Sequence, residues 1–198
     1  MSELIGKQKA ALRHRVRTGL NRVLPGSRAE ASAQACSRLQ RQQVWREARS
    51  VLLYVPLADE LDIGPLLREA LTDKDLALPR FNAQRQMYVA CRVSDLSDDL
   101  RAGQFGILEP EEGCPEVALN QLDFLLAPGV AFACDGRRLG RGRGFYDRLL
   151  AVVRGVKCGI GFDEQIVDDI PTEPNDIRLD YILTPTRWIH SGQGANLK

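Results

Sequence analysis

The stretch DFLLAPGVAFACDGRRLGRGRGFYDRLL, residues 123–150, decides the class of fold. It opens with a run of apolar residues to Phe132, which is typical of a buried strand. Arginines and glycines follow, and from Gly144 apolar residues recur at helical spacing. Strand, loop and helix in this order form the repeating unit of α/β proteins. We therefore expect a parallel sheet here, with ligands bound beyond the carboxyl ends of its strands.

The alternation of strands and helices continues outward in both directions. Helices are predicted at 3–23, 27–48, 63–71 and 144–153, and strands at 50–57, 76–81, 86–93, 123–132, 156–162 and 180–185. The spacing of Ser27 and Glu30 predicts a capping box. The segment 94–122 has few periodic signals, and a segment of that length in a compact domain is often functional. The prediction is one α/β domain over 1–190, with a mostly parallel sheet flanked by helices, an N-terminal helical hairpin and a flexible tail at 191–198.

Composition restricts the class of protein. Apolar residues make up 44% and charged residues 27% of the chain, which fits a soluble globular protein. The net charge of +1 lacks the excess of basic residues that nucleic-acid binders often show. Five cysteines without a C-x-x-C spacing argue against a zinc site and favour a reducing compartment. With no apolar run long enough for a membrane helix and no secretory segment, we expect a cytoplasmic protein that binds neither membranes nor nucleic acids.

Histidine chemistry is not expected. The chain has two histidines, His14 on a polar helix face and His190 in a polar segment. A Ser-His-Asp triad or a histidine-rich metal site is therefore improbable. An enzyme of this composition would depend on positioning and charge.

The glycine loop, residues 140–144, has the features of an anion site. Its three glycines permit positive φ and a close approach of main-chain N–H groups to a ligand. The helix that follows adds the positive end of its dipole. Fork-shaped donors come from Arg138, Arg141 and Arg143. Nucleotide phosphate is the predicted ligand, with a solvated turn and an RNA-binding RG tract as alternatives. Asp147, in the first helical turn, would either hold Mg²⁺ beside phosphate or interact with the dipole alone.

A pair of cations on the first predicted helix indicates a second contact. At about 100° per residue, Lys9 and Arg13 fall within or beside the apolar stripe formed by Val16 and Leu20. Burial of an unpaired charge is costly, so the pair is expected to meet an anion or a carboxylate. The alternative is that the stems pack on the core while the charged groups reach water. Phosphate is a reasonable partner.

Six segments, in order, resemble the 5-formyltetrahydrofolate cyclo-ligase family, also called 5,10-methenyltetrahydrofolate synthetase. They are KAALR (9–13), YVPLADELD (54–62), ALPRF (77–81), FGILEP (105–110), 123–150 and PTEPNDIRLDYILT (171–184). The resemblance covers nearly the whole chain. Departures from the commonest family pattern are Arg141, Arg143, Phe145 and Asn175. Other members carry basic residues at the two arginine positions, and Phe145 keeps a stacking ring without the hydroxyl.

The resemblance implies an enzyme that converts 5-formyltetrahydrofolate and ATP into 5,10-methenyltetrahydrofolate, ADP and phosphate, with Mg²⁺. The formyl oxygen would attack the γ-phosphate, and N10 would then attack the imidate phosphate. The substrate supplies both nucleophiles, so the protein mainly aligns the groups and neutralises charge. A ligase for another formamide-like substrate and a non-catalytic RNA-binding module remain alternatives, and a monomer is expected.

The resemblance also implies the site residues. Those assigned to ATP are Lys9, Arg13, Arg138, Leu139, Gly140, Arg141, Gly142, Arg143, Gly144, Phe145 and Tyr146. Those assigned to the folate are Tyr54, Glu60, Phe105, Arg141, Gly142, Arg143, Gly144 and Phe145, with Glu60 accepting from the pterin N–H edge. The residues expected to act in catalysis are Lys9, Arg141 and Arg143. Magnesium is assigned to Asp147 and Asp176.

Overall fold

A computed structural model describes residues 2–103 and 106–192. Its helices are α1 (Ser2–Leu20), α2 (Pro25–Gln40), α3 (Gln43–Glu47), α4 (Gly64–Asp73) and α5 (Phe145–Val152). Its strands are β1 (Ser50–Leu52), β2 (Asp75–Asn82), β3 (Met87–Arg92), β4 (Leu100–Ala102), β5 (Leu108–Pro110), β6 (Glu116–Val117), β7 (Phe124–Pro128), β8 (Ala131–Phe132), β9 (Arg138–Leu139), β10 (Val156–Ile160), β11 (Tyr181–Leu183) and β12 (Trp188–His190). The predicted folate residue Phe105 and residues 193–198 of the predicted tail lie outside the described residues.

The main sheet is mixed but mostly parallel. Its strand order is β12-β11-β10-β7-β1-β2-β3-β6. The five strands from β11 to β2 are parallel to one another, and β12, β3 and β6 are added antiparallel. The central strands are covered on both faces, which explains continuous apolar runs such as FLLA in β7. The predicted α/β fold with a mostly parallel sheet flanked by helices is confirmed.

Alternate residues of the central strand β1 and its extension supply two separate cores. Val51 and Leu53 belong to the core shared with buried residues of α1 to α4. Leu52 belongs to the core on the opposite face, with Leu149 and Leu150 of α5. The N-terminal helices therefore cover one face of the sheet and α5 covers the other.

The sheet has a switch point between β1 and β7. From β1 the chain continues to β2 on one side, whereas from β7 it continues to β10 on the other side. Connections that leave two neighbouring parallel strands in opposite directions create a crevice beyond their carboxyl ends. The segment after β1 and the glycine loop after β7 both reach this crevice.

The predicted capping box at the second helix is wrong. Helix α2 begins two residues earlier, at Pro25, and its N-cap Leu24 makes no side-chain cap hydrogen bond. The fixed φ of proline favours the first helical position, and this start places Ser27 inside the helix. The single predicted helix 27–48 is also divided, because residues 41 and 42 separate α2 from α3.

Short strands account for the other differences. The segment 94–122 contains the antiparallel pair β4–β5 and the edge strand β6. The predicted strand 123–132 breaks at residues 129–130 into β7 and β8, and β8 pairs with β9. A further strand, β12, follows the one predicted to be last. Strands of two or three residues are too short to show a period in sequence.

Among the helices of the described residues, none combines the length and apolar character needed to cross a membrane.

Candidate active site

A pocket of about 270 Å³ opens at the switch point of the sheet. One wall is the segment after β1, with Tyr54 and Glu60. The opposite wall comes from β2, β3 and β5 and includes Tyr88 and Glu109. The third side is the glycine loop with its flanking residues, from Arg138 to Asp147. The pocket therefore lies between the elements that the sequence singled out.

The glycine loop has the backbone conformation that its composition predicts. Gly142 has φ 105° and Gly144 has φ 65°, and Gly144 is also the N-cap of α5. Arg13 of α1 reaches this loop, because its Nε donates to the carbonyl oxygen of Gly140 at 2.8 Å. The guanidinium of Arg13 also lies 3.5 Å from where a Cβ on Gly142 would be. Helix α1 thus contributes a cation directly to the loop.

Arg138 joins the end of β7 to the first turn of α5. Its side chain is 3% exposed, with Nη2 donating to Asp147 Oδ1 at 2.9 Å and Nη1 to the Pro128 carbonyl at 3.0 Å. Its guanidinium lies 5.6 Å from the ring centre of Tyr146. Within the described residues its buried Nε has no hydrogen-bond partner. Arg138 is thus a fixed interior cation with one donor left over.

Arg141 connects the glycine loop to the segment after β1. Its Nη2 donates to Asp59 Oδ1 at 2.6 Å and to Glu60 Oε1 at 2.8 Å. Burial would lower the pKa of Arg141, but these two carboxylates raise it above its ordinary value. Burial would likewise raise the pKa of Asp59, but Arg141 holds it below its ordinary value. The second oxygen of Glu60 accepts the N–H of Leu57 at 3.0 Å, so this carboxylate is fixed on both sides.

Lys9 is buried against two carboxylates near the end of the chain. It is 8% exposed, and its Nζ donates to Glu173 Oε2 at 2.9 Å and to Asp176 Oδ2 at 2.7 Å. Burial would lower the pKa of Lys9, but the hydrogen bonds and charges of the two carboxylates raise it. The expectation that this pair of cations meets an anion or a carboxylate is confirmed for Lys9, whereas Arg13 donates to the Gly140 carbonyl.

A second, polar pocket of about 190 Å³ lies beside the first. It is lined by Glu173 and Asp176, whereas Asp147 lines the first pocket, and Arg138 lines both. In the described ranges 2–103 and 106–192, no three His, Cys, Asp or Glu side chains are grouped to hold a metal ion. Asp147 and Asp176 thus lie in adjacent pockets, each paired with a cation.

Tyr88 and Phe145 form an aromatic wall of the first pocket, and the ring of Phe81 packs against both. The ring centres of Phe81 and Tyr88 lie 5.4 Å and 5.1 Å from that of Phe145, all in edge-to-face contact. Glu109 lies against this wall, 5% exposed. Its Oε2 accepts the N–H of Phe81 at 2.9 Å, and its Oε1 accepts the hydroxyl of Tyr88 at 3.2 Å. Burial raises the pKa of Glu109.

A sequence profile of the 5-formyltetrahydrofolate cyclo-ligase family matches residues 5–185. The chain belongs to this family. The 5-formyltetrahydrofolate cyclo-ligase of Escherichia coli K12 is 31% identical over 173 residues, which cover 83% of this chain and 93% of that one. The cyclo-ligase of Haemophilus influenzae is 33% identical over 143 residues, covering 70% and 76% of the two chains. The solved structure of 5,10-methenyltetrahydrofolate synthetase from Aquifex aeolicus matches with a TM-score of 0.84, 34% identity and 96% coverage of both chains.

The structure brings most of the assigned residues of this chain together around the two pockets. Tyr54 is 3% exposed, and burial raises its pKa well above the ordinary value. Burial also raises the pKa of Tyr146. Arg143 is an exposed residue of the loop that lines the first pocket. Leu139 differs from the rest, because it is 1% exposed within the core and can offer a ligand only its main chain.

Sequence reasoning missed three acidic residues at or beside the two pockets: Asp59, Glu109 and Glu173. Each lies inside a segment that carries the family resemblance, so the sequence did indicate that these positions are near the site. Their roles were not visible, because each depends on a partner far away in sequence, such as Arg141 for Asp59.

Proposed function

We propose that this chain converts 5-formyltetrahydrofolate and ATP into 5,10-methenyltetrahydrofolate, ADP and phosphate, with the formyl oxygen leaving in the phosphate. The observation that carries the proposal is the site itself. A glycine loop at a helix N-terminus lies between clustered cations and a pocket walled by aromatic rings and acids, in a chain that matches the family over 5–185.

The glycine loop and its surrounding cations suit the triphosphate of ATP. The N–H groups at the start of α5 and the loop's positive-φ conformation favour an anion at this point. Arg13 of α1 contacts the loop, and Arg141 and Arg143 are two of its residues. Lys9 is held nearby on the second pocket by Asp176. These cations would neutralise the charge that develops on the transferring phosphoryl group.

The first pocket suits the pterin end of the folate. The rings of Phe145 and Tyr88 offer edges and faces against which a flat bicyclic ring can pack. Glu60 is 10% exposed in its side chain and lines the same pocket. Its carboxylate would accept hydrogen bonds from the N–H edge of the pterin, once Arg141 moves to the phosphates.

The two aspartates fit a magnesium ion that is shared with phosphate. Mg²⁺ in nucleotide sites is held by one or two carboxylates together with phosphate oxygens and water. Asp147 and Asp176 supply one carboxylate each, on adjoining pockets that meet at Arg138. When bound, Mg²⁺ would neutralise charge on the phosphates. The residues of this chain would orient the polyphosphate toward the folate.

The reaction needs no protein nucleophile. The formyl oxygen on N5 attacks the γ-phosphorus, ADP leaves, and an imidate phosphate forms. N10 then attacks the imidate carbon, the carbon–oxygen bond to phosphate breaks, and the N10 proton passes to solvent. The chain aligns oxygen with phosphorus and excludes water, which are the main protein contributions in phosphoryl transfer.

An absorbance assay tests the proposal. Purified protein with 5-formyltetrahydrofolate and Mg-ATP should give a rise in the methenyl absorption band, and samples without ATP should give none. A folded protein that produces no band would refute the substrate assignment. If other formamides are then turned over with ATP consumption, the chain is a ligase for a different substrate.

A monomer that does not bind nucleic acid is part of the proposal. Sedimentation should give the mass of one chain. An oligonucleotide titration should show no binding that weakens steeply with added salt, which is the behaviour expected of an RNA-binding module.

A further inference from the structure

Glu109 is a buried acid that the proposed chemistry does not use. It lies in β5, inside the segment FGILEP, and lines the first pocket. Arg80 lies close enough to act on its charge, but Arg80 itself donates to the carbonyl of Glu111 at 2.6 Å and pairs with Glu116 at 3.6 Å. Burying a carboxylate costs free energy, and an apolar side chain would fill the same space without that cost. The hydrogen bonds of Glu109 are therefore the feature that a carboxylate adds here.

Glu109 accepts hydrogen bonds from two residues, Phe81 and Tyr88, that both pack against the ring of Phe145. One oxygen fixes the main chain of Phe81 and the other fixes the hydroxyl of Tyr88. The rings of these two residues are in contact with each other, at 5.6 Å between centres, and each packs against Phe145. One carboxylate therefore holds the main chain of Phe81 and the hydroxyl of Tyr88, two residues whose rings pack against Phe145.

The carboxylate is itself held firmly. The main chain at Gly103 lies so close to it that a Cβ on Gly103 would be 2.5 Å from Glu109 Cδ. Strands β2 and β5 also pack together at this point, which joins the pair β4–β5 to the main sheet. A movement of Glu109 would thus shift the aromatic wall.

We propose that Glu109 is a positioning residue for the folate pocket, which it serves by fixing the Phe81 and Tyr88 rings that orient Phe145. The inference rests on the function proposed above, because Phe145 is assigned there to the folate. Glu109 acts on folate binding through these rings and has no part in holding ATP.

Three variants test the role. Glu109→Leu removes both acceptors at similar volume, Tyr88→Phe removes one donor and keeps the ring, and Glu109→Gln keeps an acceptor oxygen. Glu109→Leu should raise the KM for 5-formyltetrahydrofolate about tenfold, and Tyr88→Phe about threefold, while the KM for ATP changes less than about twofold. Glu109→Gln should remain near the wild type. Binding of 5-formyltetrahydrofolate without ATP, measured by calorimetry, should weaken in the same order.

A double variant distinguishes this role from general damage. If Glu109 acts through Tyr88, the effect of Tyr88→Phe should vanish in the Glu109→Leu background. Additive effects, or equal rises in the KM for both substrates, would overturn the proposal. The matched control is Glu69→Leu, because Glu69 also accepts from an aromatic side chain, Trp45, on the opposite face of the sheet. That variant should lose stability, but it should not raise the KM for 5-formyltetrahydrofolate relative to the KM for ATP.

The proposal can still be tested if Glu109→Leu does not fold. Tyr88→Phe then decides alone: an unchanged folate KM contradicts the proposal, and a selective rise supports it. A wild-type protein that forms no methenyl product would refute the proposed function instead, which is a separate result.

Discussion

Three cations of the site are each paired with an acidic side chain. Lys9 pairs with Asp176, Arg138 with Asp147 and Arg141 with Glu60. In the proposed function these three carboxylates belong to magnesium and to the folate. Unpaired buried charge is costly, so the pairs stabilise the site before the ligands arrive.

At the level of residues, we expect Arg143→Ala to weaken ATP binding more than folate binding. The side chain lies on the glycine loop, where its guanidinium would contact phosphate, so its loss should weaken ATP binding about tenfold or more. Calorimetric titration with ATP and separately with 5-formyltetrahydrofolate gives both affinities. Arg15→Ala is the control, because Arg15 is an exposed residue of α1. An equal loss for the two ligands would indicate structural damage.

The free energy of unfolding should depend on pH because the carboxylate of Glu109 is buried. Its pKa is raised by burial above the ordinary 4.5, so the folded state holds the proton more tightly than the unfolded state. The stability gained from this proton is present below pH 4.5 and is lost as pH rises through the folded pKa. Glu109→Gln has no such charge, so its free energy of unfolding relative to wild type should increase from acid to neutral pH. Urea denaturation of both proteins on either side of this range checks the trend, and a constant difference would contradict it.

The burial of a residue was predictable from sequence where its position on a helix determines which face it occupies. Lys9 fell on the apolar stripe of α1, and the structure places it at 8% exposure against two carboxylates. The identity of those carboxylates was hidden, because Glu173 and Asp176 are brought to Lys9 only by the folded chain. Glu109 and Asp59 were missed for the same reason.

At the level of elements, the glycine loop depends on a backbone that other residues avoid. Gly142 has φ 105°, which is strained for any residue with a Cβ. We expect Gly142→Ala to lower stability by about 1 kcal/mol or more and to weaken ATP binding. Thermal unfolding and ATP titration measure the two effects.

Gly6→Ala is the matched control for this change. Gly6 lies in α1, and a Cβ there would have no atom within 4 Å. Alanine should therefore stabilise the helix by about 0.5–1 kcal/mol. If both alanine variants behave alike, the conformation of the glycine loop is not the cause.

Elements with a strong local signal were predictable, and strands without one were not. The periodic apolar residues of α1 and the apolar run of β7 are strong local signals. By contrast, β6 and β9 have two residues each and exist because neighbouring strands pair with them. The start of α2 was misplaced because Pro25 at the first helical position outweighed the S-x-x-E pattern that begins at Ser27.

At the level of the whole molecule, the two substrates should bind cooperatively. In the proposed function, Arg141 moves to the phosphates and Glu60 accepts from the pterin, but the two side chains pair with each other at 2.8 Å. Whichever ligand binds first must separate them, so the second ligand binds without that cost. In the wild type, 5-formyltetrahydrofolate should tighten the binding of a non-hydrolysable ATP analogue about fivefold or more.

Asp59→Asn should reduce this cooperativity. Asp59 holds the same guanidinium at 2.6 Å, and a neutral partner should make Arg141 easier to release. The ATP analogue alone should then bind more tightly than to wild type, with a smaller gain when folate is added. Asp168→Asn, at an exposed position, should leave both affinities unchanged. Loss of affinity without change in the coupling would refute the expectation.

The order of strands could not be obtained from the sequence. Alternating strands and helices predicted a parallel sheet, and that was correct. Nothing local to β1 shows that β7 lies beside it, because the two strands are more than seventy positions apart. Together they form the crevice. The whole-molecule arrangement follows from long-range pairing of apolar strands.

The contact between Lys9 and Asp176 spans 167 positions of the chain. A ribosome releases Lys9 early and Asp176 late, so the nascent protein cannot complete this contact until most of its length has been made. Contacts of such separation also form slowly during folding. If Lys9 binds nucleotide as proposed, newly synthesised molecules should therefore not bind it until the segment with Asp176 has emerged and packed against α1.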